Sequence, residues 1–282
     1  MKLMTWNICA VSAAHKLAAI NNMLQIRSPD VVLFQEVACP GFQFRGYNEA
    51  VNVGEAGRGT AVLWREGLQP QPTNIVKLPS GRAMSVRIGD VTVANVYAPA
   101  GSQGRRERPR FFIEDLPLVL ADVAEHLILA GDFNAILDKA ETTGVATPCP
   151  VLRSVVESLR LRDAWKTLQP REQGFTFTSS TCASRLDRWY VTRNLPLLSV
   201  NMHAASVSDH AALLLRVQIG NPTSAGGVPT RQAPPPLPTL PTLPTLVTPR
   251  WWATQRTPEG WSTRRALPTL LTMLLNAARC GR

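Results

Sequence analysis

Asp132 and Asn134 stand two residues apart in Gly131-Asp132-Phe133-Asn134, directly after the apolar run His126-Leu127-Ile128-Leu129-Ala130. A run of that kind reads as a buried strand, and a spacing of two puts both side chains on the same side of an extended chain. One group ionises and accepts; the other both donates and accepts. Together they suit the task of holding a water beside a phosphate. The same four residues also suit a plain strand-to-turn junction, since Gly, Asp and Asn are turn residues. Glu36 ends the apolar stretch Asp30–Val37, where a charge is costly unless it is paired, binds a metal or reaches water at a rim. Asp187 lies at the start of a strand within Ser184-Arg185-Leu186-Asp187-Arg188-Trp189-Tyr190-Val191, and Asp209-His210 precedes the apolar run Ala211–Ile219. An imidazole is the side chain best matched to proton and phosphate chemistry near neutral pH.

These residues need elements that bring them together. Leu3–Ile8 reads as a first strand that carries Asn7 near its end. Lys16–Ile26 has Leu17, Ile20 and Leu24 on one helical face, stopped by Pro29. Gly59–Trp64 and the alternating Ala83–Ile88 read as strands. Gly89-Asp90 turns the chain back into Val91–Tyr97, which ends at Tyr97. Gly104–Arg110 is basic and reads as a loop leading into a helix over Phe111–Val123, with its cations on a solvated face or on a phosphate backbone. Val151–Leu161 has helical spacing, and Phe175–Thr178 reads as a short strand. Each candidate group thus falls at the end of a different element, as in a site built along one edge of packed sheets.

The chain has 282 residues, 45% hydrophobic and 18% charged, which suits a globular protein with a sizeable core. Its net charge of +10 is uneven: residues 221–282 hold seven arginines against Glu259, a net of +6, leaving +4 for residues 1–220. A polyanionic partner suits that balance, less forcefully for the folded part than the total suggests. The five cysteines, Cys9, Cys39, Cys149, Cys182 and Cys280, form no Cys-x-x-Cys pair, so reduced thiols are expected rather than a disulfide framework or a zinc site. No signal peptide and no apolar run of membrane-spanning length is evident, which points to an intracellular protein. Composition breaks near Gly220, after which Pro, Thr, Gly and Ser dominate and Thr-Leu-Pro repeats. Residues 221–282 are expected to form a basic, Pro-rich, disordered tail after a single domain over 1–220.

Six words in order, Thr5-Trp6-Asn7, Gln35-Glu36, Val96-Tyr97-Ala98-Pro99, Gly131-Asp132-Phe133-Asn134, Ser184-Arg185-Leu186-Asp187 and Ser208-Asp209-His210, resemble the endonuclease/exonuclease/phosphatase superfamily, the DNase I-like fold. A narrower resemblance runs through Asp163-Ala164-Trp165, Pro170-Arg171-Glu172, Gly174-Phe175-Thr176-Phe177 and Ser184–Asp187, which is similar to the apurinic-like endonuclease domain of LINE-class non-LTR retrotransposons. In those elements a reverse transcriptase follows; here the Pro-rich tail does. The resemblance implies an α/β, four-layered sandwich, with two mostly antiparallel sheets flanked by helices. It implies Mg²⁺, with Mn²⁺ as the alternative ion, held by Glu36 with Asp209 and Asn7 near the metal or its waters. Asp132, aided by Asn134, would orient or deprotonate the attacking water. His210, paired with Asp187, would contact the scissile phosphate, and Tyr97 another phosphate oxygen. Such chemistry is consistent with hard oxygen ligands and charge neutralisation on a phosphoryl group.

Two departures bear on this. Cys9 stands where family members often carry Asp or Asn; a thiol is a poor Mg²⁺ ligand, unless Cys9 is only an apolar filler turned away from the site. Ser184 stands where abasic-site repair members carry Trp. The expected function is a metal-dependent endonuclease that nicks DNA, retrotransposon-derived, in a nuclear setting, with DNA as partner and no membrane or obligate protein partner. The alternatives are a phosphatase or lipid phosphodiesterase of the same superfamily, and an inactive remnant that only binds nucleic acid.

Overall fold

The computed structural model describes residues 1–11, 13–38 and 43–219. Strand β1 (Lys2–Asn7) is followed by helix α1 (Ala14–Arg27), β2 (Val31–Val37), β3 (Tyr47–Val53), β4 (Gly59–Arg65), β5 (Thr73–Lys77), β6 (Ala83–Ile88) and β7 (Val91–Tyr97). Helix α2 (Gly101–Arg110), β8 (His126–Asp132), α3 (Pro150–Ser158), β9 (Leu161–Asp163) and α4 (Ala164–Leu168) come next. The short pair β10 (Phe177–Thr178) and β11 (Ala183–Ser184), then β12 (Asp187–Thr192), β13 (Leu197–His203) and β14 (Ala212–Val217) complete the order. One six-stranded sheet runs β13-β14-β1-β2-β4-β3, the other β5-β6-β7-β8-β12-β9. Among the described residues only β1/β2 and β7/β8 pair in parallel; the other pairings are antiparallel.

The two sheets pack face to face. Leu3, Leu33 and Val62 of the first share one core with Val86, Val93, Ile128 and Trp189 of the second. On its outer face the first sheet packs Met4, Trp6 and Phe34 against Ile20 and Leu24 of α1. The second packs Val96, Leu129 and Tyr190 against Phe111, Phe112 and the α3 residues Leu152 and Val155. This is the expected four-layered α/β sandwich. Strand β7 is buried at every residue, including the polar Thr92 and Asn95, as a strand covered on both faces is. Its one amide, Asn95, is satisfied across the sheets: Gln35 donates to its Oδ1 (2.7 Å), and its Nδ2 donates to the Phe34 and Ala61 carbonyls, both at 2.9 Å.

Several elements differ from the sequence reading. The basic segment 104–110 lies inside α2 rather than in a loop. The expected helix over Phe111–Val123 is a π turn (Phe111–Asp115) followed by a 3₁₀ turn (Leu116–Leu120). Pro117 lacks the N–H that a regular helix needs there. Helix α3 stops at Ser158, because Arg160 turns left-handed (φ +52) and Leu161–Asp163 joins the sheet edge. Strands β3, β5 and β13 carry no clear pattern in sequence: their exposed and half-buried residues belong to edge positions. The tail over residues 221–282 lies outside the described residues.

Candidate active site

One end of the sandwich collects the chemistry. Asn7 is the last residue of β1 and fully buried. Its Nδ2 donates to Glu36 Oε1 (3.1 Å) and to Asp132 Oδ2 (3.0 Å), joining an acid of each sheet. Its Oδ1 accepts from the Cys9 N–H at 3.0 Å. Glu36 sits where the β2–β4 register shifts, between Gln35 and Val37, and takes φ +57. A bulge that holds a non-glycine residue in left-handed backbone re-aims its side chain, and such positions are typical of functional sites. The second Glu36 oxygen, Oε2, is ion-paired with Arg58 Nη1 at 3.1 Å.

Asp132 ends β8. The glycine before it has φ +130, and a Cβ there would meet the Val96 carbonyl oxygen at 2.0 Å, so only glycine lets β8 lie this close to β7. Asp132 accepts from the Asn134 N–H (2.8 Å) on Oδ1 and from the Asn134 side-chain amide (3.1 Å) on Oδ2, beside the bond from Asn7. Asn134, itself left-handed (φ +48), also donates to the Ala98 carbonyl at 3.0 Å. The expected partnership of Asp132 and Asn134 is therefore an Asx turn that aims both groups at the sheet end. Burial, then the Asp187 charge, push the Asp132 carboxyl up to about 6, against the pull of His210 and of its own hydrogen bonds.

Asp187 faces Asp132 directly across the β8–β12 ladder. Its Oδ2 lies 2.8 Å from His210 Nδ1, and its Oδ1 is buried without a hydrogen-bond partner among the described residues. His210 is 6% exposed, packs its ring against Phe177 (5.1 Å between centroids) and has its carbonyl held by the Trp6 indole. Burial alone lowers an imidazole; the Asp187 charge and hydrogen bond outweigh it and raise His210 to about 10. With Nδ1 committed to Asp187, Nε2 is the ring nitrogen left for a substrate.

Tyr97 ends β7 opposite Asp132 in the parallel register, 8% exposed, with the Arg82 guanidinium 5.0 Å over its ring. Burial and the Glu36 charge push its phenol up to about 12, so it stays a hydrogen-bond donor. Asp209 is exposed and joins the cluster indirectly. Its Oδ1 accepts from Cys9 Sγ at 2.7 Å, and Cys9 also touches Ser208 Oγ, which donates to the Asn7 carbonyl. Cys9 faces the acids and is no filler turned away. Burial and the bond to Asp209 push its thiol up to about 11, and its backbone is left-handed (φ +47).

Two donor sets could hold a divalent ion. Glu36, Asp209 and the Asn7 amide are the expected oxygens, of the hard type that Mg²⁺ or Mn²⁺ takes. Ligand atoms of Asp132, Asp187 and His210 also lie within 4.8 Å of one another. In that second set Nδ1 is already bonded to Asp187, so the trio reads first as a charge cluster. Of the first set, Glu36 meets Asn7 and Arg58 while Asp209 meets Cys9, so among the described residues the acids seen gathered are those of the second set.

Arg58, Arg82 and a deep ionic network escaped the sequence reading. Buried Glu141 receives Arg188 Nη2 (2.8 Å), Arg185 Nη1 (3.2 Å) and Lys166 Nζ (2.6 Å), plus the Leu137 N–H (2.7 Å). Arg185 Nη2 is forked onto both oxygens of Asp163. The network ties the loop after Asn134 to the strand that carries Asp187. The one signal for it was the pair of arginines flanking Leu186-Asp187. Ser184, buried, hydrogen-bonds Thr142 (2.7 Å) and helps line a cavity of about 210 Å³ beside Asn134.

A two-sheet α/β sandwich with acids, amides and a paired histidine gathered at one end defines the DNase I-like class. The chain belongs to the endonuclease/exonuclease/phosphatase family, whose model matches residues 4–210. A Transposon TX1 uncharacterized 149 kDa protein of Xenopus laevis is 30% identical over 176 residues, which is 57% of this chain. The chain spans about 13% of that relative's length. Among solved structures, an AP endonuclease from Archaeoglobus fulgidus aligns with a TM-score of 0.65 at 17% identity, covering 78% of this chain and 100% of that one. A 3′-5′ exonuclease (NExo) from Neisseria meningitidis aligns at 0.66 and 20% identity, with the same coverage. A Neisseria 3′ phosphatase NExo bound to a product DNA hairpin aligns at 0.64 and 20%. At such identities these likenesses concern the fold. No helix among the described residues is long and apolar enough to cross a membrane.

Proposed function

We propose that the chain is a divalent-metal-dependent phosphodiesterase that nicks DNA and derives from a retroelement. The observation that carries the reading is the buried Asp132–Asp187–His210 cluster, linked through Asn7 to Glu36. Likeness to the transposon protein supports the retroelement origin, and a DNA-bound structural neighbour supports the substrate class.

Each residue takes a role suited to its surroundings. Asp132, raised by burial and the Asp187 charge, is a stronger base than an ordinary carboxylate and suited to accept a proton from a water. Asn134 and Asn7 fix its orientation. His210, held protonated by Asp187, offers Nε2–H to a phosphate oxygen, and the Tyr97 hydroxyl donates to another. Glu36, with Asp209 and Asn7, would hold Mg²⁺ or Mn²⁺, which supplies charge neutralisation on the phosphoryl group. A chromosomal DNA target implies a nuclear setting.

The test is nicking of supercoiled plasmid with Mg²⁺ or with chelator, beside a panel of inositol phosphates and sphingomyelin. Nicking that needs the metal and falls by about 10³-fold in Asp132→Asn and His210→Gln supports the reading. The double variant should lose little more than either single one. Turnover of the small esters without nicking would replace the DNA reading.

A further inference from the structure

Glu36 has one fixed partner and one removable partner. Buried Asn7 holds Oε1 from the core side. Arg58 Nη1 holds Oε2 from the solvent side, with side-chain exposures of 45% for Arg58 and 24% for Glu36. We propose that Arg58 is an exchangeable counter-ion: it closes Glu36 while no cation is bound, and passes to the DNA phosphate backbone when a divalent cation binds Glu36. The proposal rests on the reading of Glu36 as the cation-holding acid.

The backbone on both sides of the pair is fixed. Gly59, the next residue after Arg58, lies so close to β3 that a Cβ would meet the Asn52 carbonyl oxygen at 1.9 Å. It pairs with both Val37 and Val53, so Arg58 is the residue from which the chain enters β4. The bulge at Glu36 turns its carboxylate toward that exit. What can move is the guanidinium alone. Among the described residues its side chain makes no other hydrogen bond, whereas Arg82 is held over the Tyr97 ring and reaches the Tyr97 carbonyl at 3.5 Å.

Charge favours the exchange. A half-exposed ion pair is weak, and a dication offers Glu36 twice the charge on a hard centre. A released guanidinium prefers the bidentate geometry of a phosphate. Arg58 opposes the rise in the Tyr97 phenol, so its field already reaches the residue read as a phosphate contact. If one group serves both partners in turn, cation binding and DNA binding strengthen each other by the same factor.

The full chain is titrated with Mn²⁺, followed by the electron paramagnetic resonance signal of the free ion, without DNA. Arg58→Ala should bind Mn²⁺ about three- to fivefold more tightly than wild type, and Arg58→Lys should fall between them. In a His210→Gln background, where duplex is not consumed, fluorescence anisotropy gives the gain in duplex affinity on adding Mn²⁺. That gain should shrink when Arg58→Ala is added. Mn²⁺ binding no tighter in Arg58→Ala, or an equal gain with and without Arg58, overturns the exchange. Glu36→Gln separates the underlying reading: weaker Mn²⁺ binding upholds Glu36 as the cation's acid, and unchanged binding overturns that assignment whatever Arg58 does.

Discussion

Asp187 Oδ2 and His210 Nδ1, from β12 and the turn before β14, meet at 2.8 Å with both side chains buried, and the other Asp187 oxygen has no partner among the described residues. The carboxylate therefore directs its charge at the imidazole and at Asp132. The Asp187 charge and hydrogen bond raise His210 against its burial, and the same charge adds to the burial that raises Asp132.

A pH dependence of stability follows. His210 binds its proton more tightly folded (about 10) than unfolded (6.5). The stability it contributes is fully present below about 6.5 and is lost as pH rises through about 10. Asp132 is also raised, but its window ends near 6. In metal-free protein, the stability difference between wild type and His210→Gln should fall between pH 6.5 and 10, by a few kcal/mol at most, given about 1.4 kcal/mol per shifted unit. Cys9 acts in both proteins and cancels. Urea unfolding across that range measures it, and a difference that stays flat would remove the charged pair from the account.

Glu141 should matter strongly for stability. It is 4% exposed, held well below the usual carboxylate range by Arg188 and Lys166 in spite of burial, and faces two guanidiniums that are themselves buried. Glu141→Ala leaves Arg185 and Arg188 without that partner in the core, at a cost of about 3–5 kcal/mol. Chemical denaturation of the variant reads this directly; a loss within about 0.5 kcal/mol of zero would mean that Asp163 alone satisfies both arginines.

Glu141 also marks where the sequence stopped being legible. Asp132, Asn134, Asp187 and His210 could be found because each ends or begins a strand and keeps company with small turn residues. The sandwich could be found because buried strands such as β2 and β8 are nearly continuous apolar runs. Glu141 lies in Asp138-Lys139-Ala140-Glu141, which reads as an exposed polar turn; only the fold brings Arg185 and Arg188 onto it. Arg58 gave no signal either, since its ion pair with Glu36 depends on a bulge in a strand more than twenty residues earlier. Edge strands β3 and β5 escaped because half-exposed edges lose the alternation on which strand recognition depends.

Cys9 should set the metal requirement. Its thiol lies 2.7 Å from Asp209 Oδ1 as a donor and, at about 11, brings no charge at neutral pH. Cys9→Asp would add a hard oxygen and a negative charge beside Asp209, lowering the Mg²⁺ needed for half-maximal nicking. The same charge repels Asp209 when no cation is present, so the variant should also melt lower than wild type in chelator and recover with Mg²⁺. Superimposable Mg²⁺ titrations of folded wild type and variant would show that the position does not reach the ion.

Substrate preference should follow from Ser184. An aromatic side chain at this position would close on a sugar that lacks its base and exclude one that carries it. Ser184 instead turns its hydroxyl to Thr142 at 2.7 Å and leaves a cavity of about 210 Å³ beside Asn134, bounded in part by Arg105, Arg108, Ile136 and Leu186. With no aromatic side chain in its lining, an intact nucleotide should not be shut out, and discrimination should pass to the deformability of the DNA. Pyrimidine–purine steps bend and unstack most readily. Intact duplex containing such steps should therefore be cut about as well as an abasic duplex of the same sequence. Matched oligonucleotides compared by kcat/KM decide it. An abasic preference of about a hundredfold, roughly 2.7 kcal/mol in transition-state binding, would mean that the cavity closes on the substrate and recognises the missing base after all.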